Sequence, residues 1–182
     1  MENRQALLEA AKNLVAAKGV KATTTADIAA KAGVAKGLLF YYFKDKESMI
    51  RVIADQLDAD YMAALQAVIA DKPSVESLHA LIKYHFQFLE QSPGNAQFLY
   101  QCMAVNRITL GFYEHLYESI LKILTQGLRS GDFVLQDPEE LAYMILGSLH
   151  GIGRLKLSEF KRDYDAAKHL ASFYENVLLC LR

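Results

Sequence analysis

The sequence predicts an all-α protein, and three observations carry that prediction. Prolines are scarce, with only Pro73, Pro93 and Pro138 in 182 residues. Helix formers such as Ala, Leu, Lys and Glu dominate, and apolar residues recur at three- and four-residue spacing along the chain. No segment reads convincingly as a strand. About nine helices are expected. Hydrophobic residues make up 52% and charged residues 23%, an ordinary globular balance. A chain of this size buries roughly 70% of its unfolded surface on folding, enough for a core without staples.

The elements follow in order. Residues 4–18 place Leu7, Ala10, Ala11, Leu14 and Val15 at helical spacing, and Gly19 suits the position just past a helix end. Thr24 and Asp27 form a Thr-x-x-Asp capping box that opens a short helix over 25–32, which Gly33 breaks. A third helix is expected over 35–43. A fourth, capped by Asp45, starts at Lys46 and runs to about Ala70. Residues 74–91 form the next and stop at Ser92-Pro93-Gly94. A short segment over 95–104 and a long one near 107–128 follow. Asp137-Pro138-Glu139-Glu140 combines an N-cap, a first-turn proline and first-turn acids, and opens a helix to about Leu157. A final helix is expected over 165–181.

Composition then narrows the function. Cys102 and Cys180 form no close pair, which argues against a disulfide framework and fits a reducing compartment. Charges interrupt any signal-peptide core near the N-terminus, and the longest uncharged helical run, Leu141 to Gly153, is too short to span a bilayer. A cytoplasmic location without membrane contact is expected. The net charge of −1 hides an asymmetry. Residues 1–46 hold eight Lys/Arg against four Asp/Glu, a net of +4; residues 47–182 hold twelve against seventeen, a net of −5. A basic head on an acidic body points to a polyanion at the head.

The segment from Thr24 to Phe43 has helix-turn-helix logic: two short helices joined by a tight turn at Gly33. Ala29 is small where they cross, and Ile28, Val34, Leu39 and Phe43 are placed to lock the pair onto the first helix. Lys36, Gly37, Leu38, Phe40 and Tyr41 are left facing outward, an odd solvated surface but a reasonable one for a major groove.

These residues resemble a family. The run Thr23-Thr24, Asp27-Ile28-Ala29, Ala32-Gly33-Val34, Lys36-Gly37, Leu39, Tyr41-Tyr42-Phe43 and Lys46-Glu47, with Gly19 and the Ala-rich first helix, is similar to the DNA-binding head of the TetR family of bacterial transcriptional regulators. The resemblance covers residues 4–49, about a quarter of the chain. It implies that Thr24 and Thr25 hold a phosphate at a helix N-terminus. It places Lys36, Gly37, Leu38 and Tyr41 in the groove, Tyr42 at a phosphate, and Lys46 where the fourth helix meets the DNA backbone. Three departures reduce polar readout. Ala35 stands where Ser is frequent, Leu38 where a polar residue is common, and Phe40 where Tyr is usual. Leu38 is instead suited to a thymine methyl.

The expected division is a DNA-binding head over 1–46 and an effector-binding and dimerisation body over 47–182. In the body, Tyr84, Phe88, Phe98, Gln101, Cys102, Phe112, Tyr113 and Tyr117 supply aromatic and soft side chains with a few polar tips, as a pocket for a small, mostly apolar molecule requires. Such residues at helical spacing also serve as plain core. Palindromic DNA calls for a homodimer. The resemblance places its interface on the last two helices, where Gly147 and Gly151 permit close approach and Leu170, Phe173, Tyr174, Val177, Leu178 and Leu181 form an apolar stripe.

Enzyme chemistry finds no support, since no phosphate loop, nucleophile elbow or His-Glu-x-x-His run occurs. The five histidines (79, 85, 115, 150 and 169) are scattered without metal-ligand spacing, so no metal or cofactor is expected. The reading is a dimeric, ligand-responsive transcriptional regulator, a repressor released from a palindromic operator by its effector. The competing reading is a helical small-molecule-binding protein whose head docks a protein.

Overall fold

The structure, a computed structural model, describes residues 2–103, 110–134 and 137–158, together with Ser172, Glu175 and Val177. Among the described residues eight helices follow one another: α1 (Glu2–Ala22), α2 (Thr25–Ala32), α3 (Lys36–Tyr42), α4 (Lys46–Ile69), α5 (Ser74–Gln91), α6 (Pro93–Met103), α7 (Leu110–Ser130) and α8 (Pro138–Leu157). All regular structure among the described residues is helical. Of the helix expected over 165–181, only Ser172, Glu175 and Val177 are described, and these three are helical. No described helix is long and apolar enough to cross a membrane.

The chain forms two compact units, and the division falls inside α4 and α7. The first unit takes residues up to Asp60 together with Ser92–Phe112. Here α1 presents Leu7, Ala11 and Val15, four residues apart and without solvent exposure, and packs most extensively on α6 and then on α2. Ile28, Leu39, Met49, Ile50, Phe98 and Cys102 complete a core with no exposed member. Each large side chain sealed this way contributes about 1.5–3 kcal/mol. The first helix runs further than expected. Its backbone leaves helical geometry at Gly19 (φ 82°, ψ 165°) and then resumes for a last turn to Ala22. The Thr23 hydroxyl donates to the Gly19 carbonyl at 2.8 Å and fixes this bend. An L side chain rarely adopts such a φ, so the helix bends at its glycine.

The second unit takes Tyr61–Gln91 and the chain from Tyr113 onward. Leu65, Leu78, Leu81, Ile82, Leu116, Ile120, Leu124 and Leu149 fill its core. The expected bounds of the fifth helix match α5. At the start of α8 the Asp137 carboxylate accepts from the Glu139 and Glu140 backbone N–H groups at 2.9 and 3.1 Å, with Pro138 in the first turn. Lys156 near the end of α8 donates to Glu90 near the end of α5 at 2.7 Å. Gly127 lies against the Phe133 ring, so closely that a Cβ there would collide with the ring carbons.

Candidate nucleic-acid interface

The candidate interface is built on α2 and α3. Thr24 caps α2: its hydroxyl oxygen accepts from the Asp27 N–H, and the Asp27 carboxylate accepts from the Thr24 N–H, each at 3.1 Å. Lys18 closes on the same carboxylate at 2.7 Å. That ammonium, followed by the Thr24 hydrogen bonds, lowers the Asp27 pKa to about 2. Gly33 ends α2 in the left-handed region (φ 70°, ψ 28°), and its N–H and that of Val34 close on the last carbonyls of the helix. The chain can therefore turn at once into α3.

Seven residues are too few for a helix to stand alone, and packing holds α3 in place. Leu39 is fully buried and Phe43 nearly so, while the Arg4 guanidinium covers the Phe43 ring at 5.3 Å. With that side anchored, Lys36, Gly37, Phe40 and Tyr41 face solvent; Tyr41 is 79% exposed and Phe40 49%. Leu38 and Tyr42 are half-buried. The Lys36 ammonium stands 6.0 Å above the Phe40 ring, and Tyr41 meets Tyr42 edge-on at 5.1 Å. Ala35 occupies the N-cap without a side-chain hydrogen bond, so the start of α3 lacks a capping hydroxyl.

Lys46, expected where the fourth helix meets the DNA backbone, also bonds within the chain. Its ammonium donates to the Val20 and Thr23 carbonyl oxygens at 2.7 and 2.8 Å, tying the start of α4 to the bend that follows α1. Two of its three N–H donors are thereby committed to the chain itself. The first turn of α4 has its own cap, since the Asp45 carboxylate accepts from the Ser48 N–H at 2.7 Å, which lowers the Asp45 pKa.

Comparison with known proteins bears directly on this arrangement. The sequence model of the bacterial regulatory proteins of the tetR family matches residues 7–53, a span that includes α2 and α3 whole. Residues 7–53 therefore match the DNA-binding part of the TetR family. Among the chain's relatives, the HTH-type transcriptional repressor KstR2 of Rhodococcus jostii is 28% identical over 151 residues, 79% of this chain and 74% of that protein. A tetR-family regulatory protein from Rhodococcus RHA1 shares the fold with a TM-score of 0.83 at 22% identity, covering 100% of this chain and 97% of that one. The transcriptional regulator FadR of Bacillus subtilis, solved in complex with stearoyl-CoA, gives a TM-score of 0.79 at 22% identity over 97% of this chain and 96% of that one. The proteins that this chain resembles here are regulatory proteins.

The eight candidate effector residues divide between the two units. Phe98, Cys102 and Phe112 are core residues of the first, and burial raises the Cys102 thiol pKa to about 12. Gln101 brings its amide oxygen against Gly19, 3.2 Å from where a Cβ would stand there. In the second unit Tyr84 and Phe88 pack on the Tyr61 ring at 4.9 and 5.0 Å. There Tyr113 hydrogen-bonds to His150 at 2.9 Å, and Tyr117 stacks on Tyr143 at 4.5 Å. Two open surface grooves, of about 550 Å³ along α7 and 340 Å³ beside α1 and α4, are lined by none of the eight.

Of the dimer candidates, Leu170, Phe173, Tyr174, Leu178 and Leu181 lie outside the described residues, and Val177 is buried. Gly147 and Gly151 are exposed on α8, with nothing within 4 Å of a Cβ built on either. Sequence reasoning missed their companions. Tyr143 and Leu155 continue the same four-residue ridge, Met144 lies beside it, and all three are exposed. The signal was present in the spacing 143, 147, 151 and 155.

Proposed function

We propose that this chain is a dimeric, ligand-responsive repressor whose head, residues 1–46, reads a palindromic operator. The observation that carries the reading is the outward face of α3. A short helix held by Leu39 and Phe43 turns Lys36, Gly37, Phe40 and Tyr41 to solvent, where exposed aromatics have no packing purpose. Lys36 supplies charge, Tyr41 and Leu38 contact base edges, and Gly37 lets the backbone approach the groove. At the start of α2, Thr24 uses its hydroxyl oxygen as an acceptor, so its O–H hydrogen is the group offered to a phosphate, beside Thr25. Tyr42 lies at the edge of the same face. Lys46 acts on DNA chiefly by fixing the angle between α4 and the head, with one N–H left for a phosphate.

The dimer forms through the α8 ridge of Tyr143, Gly147, Gly151 and Leu155 together with the stripe expected over 170–181. The body, residues 47–182, binds an effector through that molecule's apolar part. The aromatic side chains of the body and the stearoyl-CoA bound by FadR both favour an acyl ligand. The effector must bind the DNA-released state more tightly than the DNA-bound one, because only differential affinity shifts the equilibrium.

Selection of bound fragments from a random duplex library tests the reading. A recovered site with two-fold symmetry and half-sites about one helical turn apart, released on addition of stearoyl-CoA, is the expected result. Recovery of no duplex, or of sites without symmetry, contradicts it.

A further inference from the structure

We propose that His85 is the polar anchor of the effector, its Nε2–H donating to an uncharged carbonyl oxygen at the head of an apolar chain. The proposal rests on the ligand-binding reading above and names the chemistry that the body recognises.

His85 lies on the buried side of α5 and is only 3% exposed. Its Nδ1 is 2.9 Å from the hydroxyl oxygen of Tyr61 on α4. Its Nε2 is buried and meets no hydrogen-bond partner among the described residues. In the tautomer the proposal requires, Tyr61 donates to Nδ1 and the proton of the neutral ring sits on Nε2. The result is a buried N–H without an acceptor, on a ring whose other nitrogen meets an aromatic cluster. Tyr84 and Phe88 lie against Tyr61, and Phe86 meets the imidazole edge-on at 6.1 Å. Buried donors without acceptors are rare and costly, and one kept among aromatic rings at the Tyr61 contact is accounted for by an acceptor that arrives with a ligand.

The charge state selects the class of acceptor. Burial, with the His150 charge as a lesser cause, lowers the His85 pKa to about 4, so the ring is neutral at pH 7. His150 is itself lowered by burial and hydrogen-bonded to Tyr113. A carboxylate buried against neutral donors would lack a counter-charge. A thioester or ester carbonyl needs only the one N–H.

Calorimetric titration of the full chain with stearoyl-CoA, its S-octadecyl thioether analogue, which lacks the carbonyl oxygen, and free stearate tests the assignment. The wild type should bind the thioester about tenfold more tightly than the thioether, and stearate more weakly than the thioester. His85→Phe should bind thioester and thioether alike. Equal binding of the two by the wild type, retention of the preference by His85→Phe, or tighter binding of stearate overturns the assignment while leaving ligand binding intact. Binding of none of the three removes the acyl-ligand reading and this proposal together. Imidazole ¹⁵N spectra of the wild type give a reading independent of the variant's folding. The His85 Nε2–H resonance should move with stearoyl-CoA and not with the thioether, and a resonance unmoved by bound stearoyl-CoA overturns the proposal.

Discussion

The ammonium of Lys46 donates to the Val20 and Thr23 carbonyl oxygens, whereas that of Lys36 stands in solvent above the Phe40 ring. Removing each charge should therefore have opposite consequences. Lys46→Met strips two partly buried carbonyls of a charged donor and should cost about 1–3 kcal/mol of stability in urea denaturation. Lys36→Met should leave stability within about 0.5 kcal/mol. Thr24→Ala deletes the α2 cap and should cost about 1 kcal/mol in the same measurement. His85 gives stability a pH dependence whose direction is fixed. Its folded pKa of about 4 lies below the unfolded value near 6.5, so the unfolded chain takes up the proton first as pH falls. Stability should be intact above about pH 6.5 and fall by roughly 3 kcal/mol between there and pH 4 on this account. His85→Phe should remove that part of the slope; an unchanged slope between pH 7 and 4.5 would show that His85 is not the group responsible.

Elements whose signals are local are legible in the sequence alone. The Thr24–Asp27 box, the Gly33 turn, the Asp45 cap, the Asp137-Pro138 start and the bounds of α5 all depend on residues a few positions apart, and local chemistry fixes them. Contacts between distant segments are not legible in this way. Lys46 closes on carbonyls 23 and 26 residues away, and α6 seats itself on α1, bringing Gln101 against Gly19. No spacing announces such pairings, because helical periodicity says which face is buried and not what buries it. The outward set on α3 is legible for the same reason that α3 is usable: its few apolar anchors, Leu39 and Phe43, leave the other side open. Packing between α7 and the loop after it is a further case hidden from periodicity. Gly127→Ala would drive a methyl group into Phe133 and close to Ser74, and should destabilise by about 1–3 kcal/mol. The double variant with Phe133→Leu should recover part of that loss if the ring is the obstacle.

At the scale of the whole molecule, a net charge of −1 conceals a head of +4 and a body of −5. That separation suits a protein whose basic end meets DNA and whose acidic end stays clear of it. The compact unit containing residues 2–46 extends to Asp60 and takes in α6, so those residues are braced by segments outside the matched family motif. Pairing of two copies is the second property at this scale. Gly147→Arg and Gly151→Arg place charges on an exposed ridge with room for a side chain, so each chain should keep its helical circular dichroism. Sedimentation should nevertheless show monomers, and DNA affinity should fall with them. A dimer undisturbed by both changes would put the interface elsewhere. The central claim is that the α3 face reads DNA, and the most direct test is the salt dependence of binding to a selected operator by the wild type, Lys36→Met and Tyr41→Ala. Steep salt dependence is expected for the wild type, with a slope lower by about one for Lys36→Met. For Tyr41→Ala a loss of sequence preference is expected with the slope preserved. Operator binding unchanged in slope, affinity and preference by both substitutions would contradict the claim.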